Sequence, residues 1–191
     1  AMYYLAVMYQ EGRGMASPNH EKEVEWLQKA AAAGHVTAMF NLAVSYDTGE
    51  GVKSDKGKAV YWYEKAARGG DTDAMYNLAV SYDTEGEGVE VNHEKSFYWY
   101  EKAAQGGHLK AMYNLGIAYD IGEGTEVDYN KSFYWYQKGA DEGEPDCMYN
   151  LGVAYYNGEG TARDRNKARQ WWQKAAAEGH QKAVEALRSL R

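Results

Sequence analysis

The chain has 191 residues, 45% of them hydrophobic, with a mean hydropathy of −0.73 and a formal net charge of −7. That is enough apolar material for a buried core, and the acidic balance lacks the basic stripe that a nucleic-acid binder needs to displace counterions. No apolar run approaches membrane-spanning length, so no membrane insertion is expected, and the single cysteine, Cys147, excludes an internal disulfide framework and a multi-cysteine zinc site.

From its first residues the chain repeats itself. MYYLAVMYQEGRG starts at Met2, MFNLAVSYDTGEG at Met39, MYNLAVSYDTEGEG at Met75, MYNLGIAYDIGEG at Met112 and MYNLGVAYYNGEG at Met148. Trp26, Trp62, Trp99, Trp135 and Trp171 follow one another at 36, 37, 36 and 36 residues, the extra residue falling near Glu85. The units are 1–37, 38–73, 74–110, 111–146 and 147–182, with a capping helix over 183–191 whose Arg188 and Arg191 face water. The chain opens at Ala1, at a repeat boundary, and is expected to be a piece of something longer. No compartment is assigned to it.

Each unit carries two helical patterns and no strand-like alternation. In the first, Met39, Leu42, Ala43 and Tyr46 recur at i, i+3, i+4 and i+7, one face of a helix. Gly49-Glu50-Gly51 ends it, because glycine supplies the positive φ that stops a helix. The second helix starts at Asn19, Asp55, Asn92, Asp128 and Asp164, whose side chains can cap the free N–H groups of a first turn. Its apolar face holds Ala59, Trp62, Tyr63, Ala66 and Ala67, and it ends at Gly34, Gly70, Gly107, Gly143 and Gly179. The tryptophan of each unit is expected in the core between helices. His35, His108 and His180, just past the terminal glycine, are expected to interact with the last carbonyls of the helix. One such hairpin cannot bury its own apolar face, whereas stacked neighbours can, so the units should form one all-α solenoid.

The unit A-M-Y-N-L-G-x-A-Y-x-x-G-E-G followed by D-x-x-K-[AS]-x-x-W-[YW]-x-K-[AG]-A-x-x-G closely resembles the Sel-one-like repeat (SLR), a relative of the tetratricopeptide repeat, over the whole chain. The resemblance implies a right-handed α/α superhelical solenoid acting as a scaffold or adaptor for other proteins. Some secreted bacterial members carry a disulfide in each repeat; a chain with only Cys147 departs from them. By position, the stripe that lines the concave surface in tetratricopeptide proteins would here show three ladders. Tyr3, Phe40, Tyr76, Tyr113 and Tyr149 form an aromatic one. Asn41, Asn77, Asn114 and Asn150 form an amide one. Asp47, Asp83 and Asp120 form an acidic one, which Tyr156 replaces in the last unit; Val44 and Val80 lie among them.

Such a stripe suits an extended peptide. An asparagine offers both a donor and an acceptor to a peptide backbone, tyrosine gives broad contact at little entropic cost, and the carboxylates would favour a basic partner. The same residues also have plain structural readings: Asn bonded to a turn, Tyr packed between helices, Asp in water. The expected function is therefore a protein or peptide scaffold. The alternative is a carbohydrate or cell-wall module that uses the aromatic ladder. Catalysis needs a nucleophile, a base and an orienting group converging once. The breaks in symmetry, among them Pro145, Cys147, Tyr156, Arg163, Arg165 and Arg169, form no such set. No enzyme, cofactor or metal site is expected.

Overall fold

A computed structural model of the chain describes residues 1–14, 17–84 and 89–190. The expectations placed on Glu85, on the Gly86-Glu87-Gly88 turn and on Arg191 lie outside the described residues. Two compact units are present, Ala1–Asn92 and His93–Arg191. The first holds α1 (Met2–Glu11), α2 (His20–Ala32), α3 (Val36–Thr48), α4 (Lys56–Arg68) and α5 (Thr72–Asp83). The second holds α6 (His93–Gln105), α7 (Leu109–Ile121), α8 (Tyr129–Asp141), α9 (Pro145–Asn157), α10 (Arg165–Ala177) and α11 (Gln181–Ser189). Within each unit successive helices pack on one another. No described helix is long and apolar enough to cross a membrane.

The D-x-x-K motif explains how each hairpin closes. Asn19, Asp55, Asp128 and Asp164 accept hydrogen bonds from the first-turn N–H groups, including those of Lys22, Lys58, Lys131 and Lys167. The ammonium groups of these same lysines lie 5.0–5.5 Å from the ring centroids of Tyr9, Tyr46, Tyr119 and Tyr155, near the ends of the preceding helices. The N–H of each capping residue donates to the carbonyl of that tyrosine, at 2.9 Å for Tyr46 and Tyr119. One short segment thus ends one helix, starts the next and ties the two together.

The connection out of the second helix is equally short, and it corrects the reading of the histidines. Gly34 takes φ +90°, and the backbone N–H of His35 donates to the Ala30 carbonyl. The imidazole points onward instead of back. Its Nδ1 accepts from the N–H of Ala38 at 3.3 Å and so caps α3. His108 and His180 cap α7 and α11 in the same way, and Asp71 caps α5. Only Ala33, Gly34 and His35 separate α2 from α3, and the last of them, whose N–H closes one helix, is already the cap of the next.

Leu42 and Leu78 in the first unit and Leu115 and Leu151 in the second are fully buried, each contributing roughly 1.5–3 kcal/mol of transfer free energy. The expected tryptophan core is displaced by one residue. Leu27, Tyr63, Tyr100, Tyr136 and Trp172 are the side chains driven inward, at 1–4% exposure, whereas Trp26, Trp62, Trp99 and Trp171 are half-buried and only Trp135 is buried. A step of one residue turns a helix by about 100°, which separates the buried column from the flanking one. The flanking rings are covered from outside: Lys29 lies 4.2 Å from the Trp26 centroid and Lys174 lies 3.8 Å from that of Trp171.

In three of the turns the second glycine makes the joint between repeats. A Cβ on Gly51, Gly124 or Gly160 would run into the carbonyl oxygen of His20, His93 or Tyr129, the first residue of the second helix one repeat earlier. At the first of these joints His20 Nδ1 sits 2.8 Å from Glu23 on its own helix, and Nε2 sits 3.2 Å from Glu50 in the next turn. The hydrogen bond to Glu23 is the largest influence on the His20 pKa; burial opposes it, and the charges of Glu50 and Glu23 add smaller upward effects, so the value stands above the usual histidine one. A raised folded-state pKa stabilises below the unfolded value of about 6.5, and this contribution is lost as pH rises through the folded value. The melting-temperature advantage of the native chain over His20→Gln should therefore shrink between about pH 5.5 and 8. An advantage that stays level with pH would remove the ionic part of this joint.

Candidate functional site

The anticipated stripe does not stay a plain row of free side chains. On α3, α4 and α5 it gathers into a cleft of about 390 Å³ walled by Val44, Val60, Val80 and Val89, with Tyr63 and Asn77 among its polar lining. Four anticipated residues meet there: Val44, Asp47, Asn77 and Val80. Lys56 and Tyr63 were not anticipated, because they come from the second helix, which carries the packing face.

The electrostatics of the cleft are settled internally. Lys56 Nζ donates to Asp47 Oδ1 at 2.6 Å and to the Asp47 carbonyl at 3.0 Å, so the carboxylate expected to attract a basic partner already has a cation. Burial, then the charge of Asp47, raises the pKa of the Tyr63 hydroxyl, and Asn77 partly offsets this through a hydrogen bond. In the second unit the Tyr136 hydroxyl donates to Asp120 Oδ2 at 2.8 Å and is also reached by Asn150. A related arrangement thus occurs twice: a buried tyrosine hydroxyl bonds to an Asn of the next repeat and lies in the field of an Asp of its own, which for Tyr136 also accepts its proton in a hydrogen bond. It gives much of the Asp and Asn ladders a structural duty, since a buried hydroxyl without partners costs free energy.

The aromatic ladder is likewise partly covered. Tyr3 stacks on His35 at 4.4 Å and Tyr149 on His180 at 4.7 Å between ring centroids. Phe40 lies against Tyr63, and Tyr113 against Tyr136. Tyr156 tilts onto Trp172 with 5.7 Å between centroids. Asn41, Tyr76, Asp83 and Asn114 are half-buried on the same helices. The strongly exposed tyrosines of the second helices, Tyr61, Tyr98 and Tyr134, are elsewhere, each edge-on to the tryptophan that follows it.

Cys147 is fully buried against Gly139. Burial, reinforced by Glu144 and Asp146, pushes its thiol well above the usual range, the reverse of what a nucleophilic cysteine needs.

Paired helices with a capped two-way linker, a buried core of leucines and tyrosines and a helix-lined cleft define an α/α repeat scaffold. The chain belongs to the Sel1 repeat family, which matches residues 1–35, 36–71, 72–108, 109–144 and 145–180. Among solved structures it is similar to a protective antigen of uropathogenic Escherichia coli strains with an SLR fold, at 33% identity and a TM-score of 0.92, over 97% of this chain and 39% of that one. It is also similar to a Sel1 repeat protein of Oxalobacter formigenes, at 31% identity and a TM-score of 0.87, over 92% of this chain and 72% of that one. Helicobacter pylori cysteine rich protein B matches at 25% identity and a TM-score of 0.56, over 71% of this chain and 97% of that one. No curated protein sequence matches. The chain thus spans about two fifths of the length of the E. coli antigen. It has the all-α superhelical repeat fold of its family, whose members are generally non-enzymatic protein–protein interaction modules.

Proposed function

We propose that this chain is a non-catalytic scaffold that holds a segment of a partner protein along its first-helix stripe, with the α3–α4–α5 cleft as the main anchor. The observation that carries the reading is the convergence of Val44, Asp47, Asn77 and Val80 on a cleft walled by four valines. An apolar side chain of an extended segment would lose water against the valines. The Asn77 carboxamide, with more hydrogen-bonding capacity than one hydroxyl consumes, would meet its backbone. Because Asp47 is already paired with Lys56, the anchor favours an uncharged residue, and a general preference for basic partners does not belong to this reading.

The carbohydrate alternative draws less support from the stripe. The stacked His35 and His180 cover faces of Tyr3 and Tyr149 that a sugar ring would need.

Selection of a displayed random-peptide library on the chain should yield binders with an apolar residue at the anchoring position. Val80→Trp, which fills the cleft while leaving the Asp47–Lys56 pair and the Tyr63 node in place, should weaken them at least about tenfold. A library that yields no binder overturns the scaffold reading. Binders indifferent to Val80→Trp would move the anchor out of this cleft.

A further inference from the structure

The fifth repeat differs in charge from the second and third at one place. In the second repeat, Lys56 opens α4 and is neutralised by Asp47, 2.6 Å away on α3. In the third, His93 opens α6 with Glu123 at 3.5 Å. In the fifth, Arg165 opens α10, but Tyr156 stands where Asp47 stands, and Arg163 is added two residues earlier. Both guanidinium carbons lie over the Tyr156 ring, at 5.4 Å for Arg163 and 5.7 Å for Arg165. Arg163 Nε also donates to the Tyr156 carbonyl at 2.8 Å. Among the described residues, neither arginine, nor Arg169 one turn further along α10, is paired with a carboxylate.

As a matter of stability this arrangement is unfavourable in three ways. Arg165 sits at the positive end of a helix dipole, where the capping Asp164 is the one nearby carboxylate and is turned to the N–H groups of Asn166 and Lys167. Arg165 and Arg169 are like charges at i,i+4. The stacked guanidiniums have no anion in a chain of net charge −7 that offers many. Local rules broken in this way are what a binding site leaves behind. Stacking on Tyr156 and the bond to its carbonyl hold the planar groups in place, with their remaining N–H groups available for a carboxylate. The acidic remainder of the chain would repel the same ligand, so the field steers it to this repeat.

We propose that Arg163 and Arg165, stacked on Tyr156, form a site for an acidic side chain, Glu or Asp, of a partner polypeptide, with Arg169 adding to the field. The choice of a polypeptide as the source of the carboxylate rests on the scaffold reading above. The site lies wholly within the fifth repeat.

The test is a titration of the full chain, followed through the arginine Nε–Hε resonances. Three probes are compared: acetyl-Gly-Glu-Glu-Gly-amide, its Gln-Gln counterpart and inorganic phosphate. The Glu peptide should shift Arg163 and Arg165 saturably, the Gln peptide should not, and the Arg163→Gln/Arg165→Gln variant should bind at least about tenfold more weakly. Arg165→Glu should abolish binding and yet raise the melting temperature, because a carboxylate suits the start of α10. Equal shifts from the Gln peptide, unaltered binding by the double variant, or a response to phosphate alone would each overturn the proposal. The two readings fail separately. Library binders insensitive to Arg163→Gln/Arg165→Gln sink this site alone, whereas a library without binders sinks the scaffold reading whatever the tetrapeptide does.

Discussion

Trp172→Ala should destabilise the protein by about 3–5 kcal/mol, whereas Trp171→Ala, one residue away, should cost about 1 kcal/mol. The two side chains have the same size and the same helix, and differ only in direction. Trp172 is 4% exposed, and its indole N–H donates to the Tyr149 carbonyl at 3.0 Å. It also packs so closely on Gly152 that a Cβ there would overlap the indole. Its removal would leave a cavity among Leu151, Tyr155 and Ala175 and take away the indole hydrogen bond that ties α10 to α9. Trp171 is half-buried with the Lys174 ammonium over its face, so its loss returns surface that was partly wet already. Equilibrium unfolding in urea, followed by far-UV circular dichroism, should separate the two variants by midpoint. Because a repeat array can unfold in stages, the slope should be reported with it. Equal midpoints would put the wrong tryptophan in the core.

Gly160→Ala should cost about 2–4 kcal/mol, a large effect for one added methyl group on a turn. Part of it, about 1 kcal/mol, is the left-handed backbone, φ +66°. The rest is steric, because the new Cβ would strike the Tyr129 carbonyl oxygen and lie 2.8 Å from Phe133 Cβ, forcing neighbouring repeats apart. The chain supplies its own controls. Gly158, in the same turn, has φ +82°, but a Cβ there would find nothing nearer than 3.4 Å. Gly14, at the corresponding place in the first repeat, has φ +76° and nothing within 4 Å. Gly158→Ala and Gly14→Ala should therefore show the backbone cost alone. If all three variants lose the same stability, the glycine at this joint serves only its own turn and not the contact between repeats.

Much of this architecture is visible in the residues themselves. The capping side chains at Asn19, Asp55, Asp128 and Asp164 act as their spacing implies, because a cap is a local interaction between residues two or three apart. The glycines at positive φ are legible for the same reason. The readings that moved depend on distant neighbours. Periodicity marks Trp62 and Tyr63 equally as bulky apolar residues and does not say which one turns inward. His35 follows a helix and precedes another, and only the length of the connection decides which it caps. The cleft was half visible: Val44 and Asn77 follow from the stripe, but Lys56 and Tyr63 reach it from the neighbouring helix, and helix packing is not encoded in any one segment.

The buried tyrosine nodes bear on how such a chain can change length. Tyr63 lies in the field of Asp47 of its own repeat and bonds to Asn77 of the repeat that follows. Tyr136 does the same with Asp120 and Asn150. Insertion or deletion of a whole repeat bearing the same three residues returns every such hydroxyl to an Asp and an Asn. A cut made inside a repeat strands one. Duplication in register therefore leaves these buried hydroxyls with their partners, and out-of-register duplication does not.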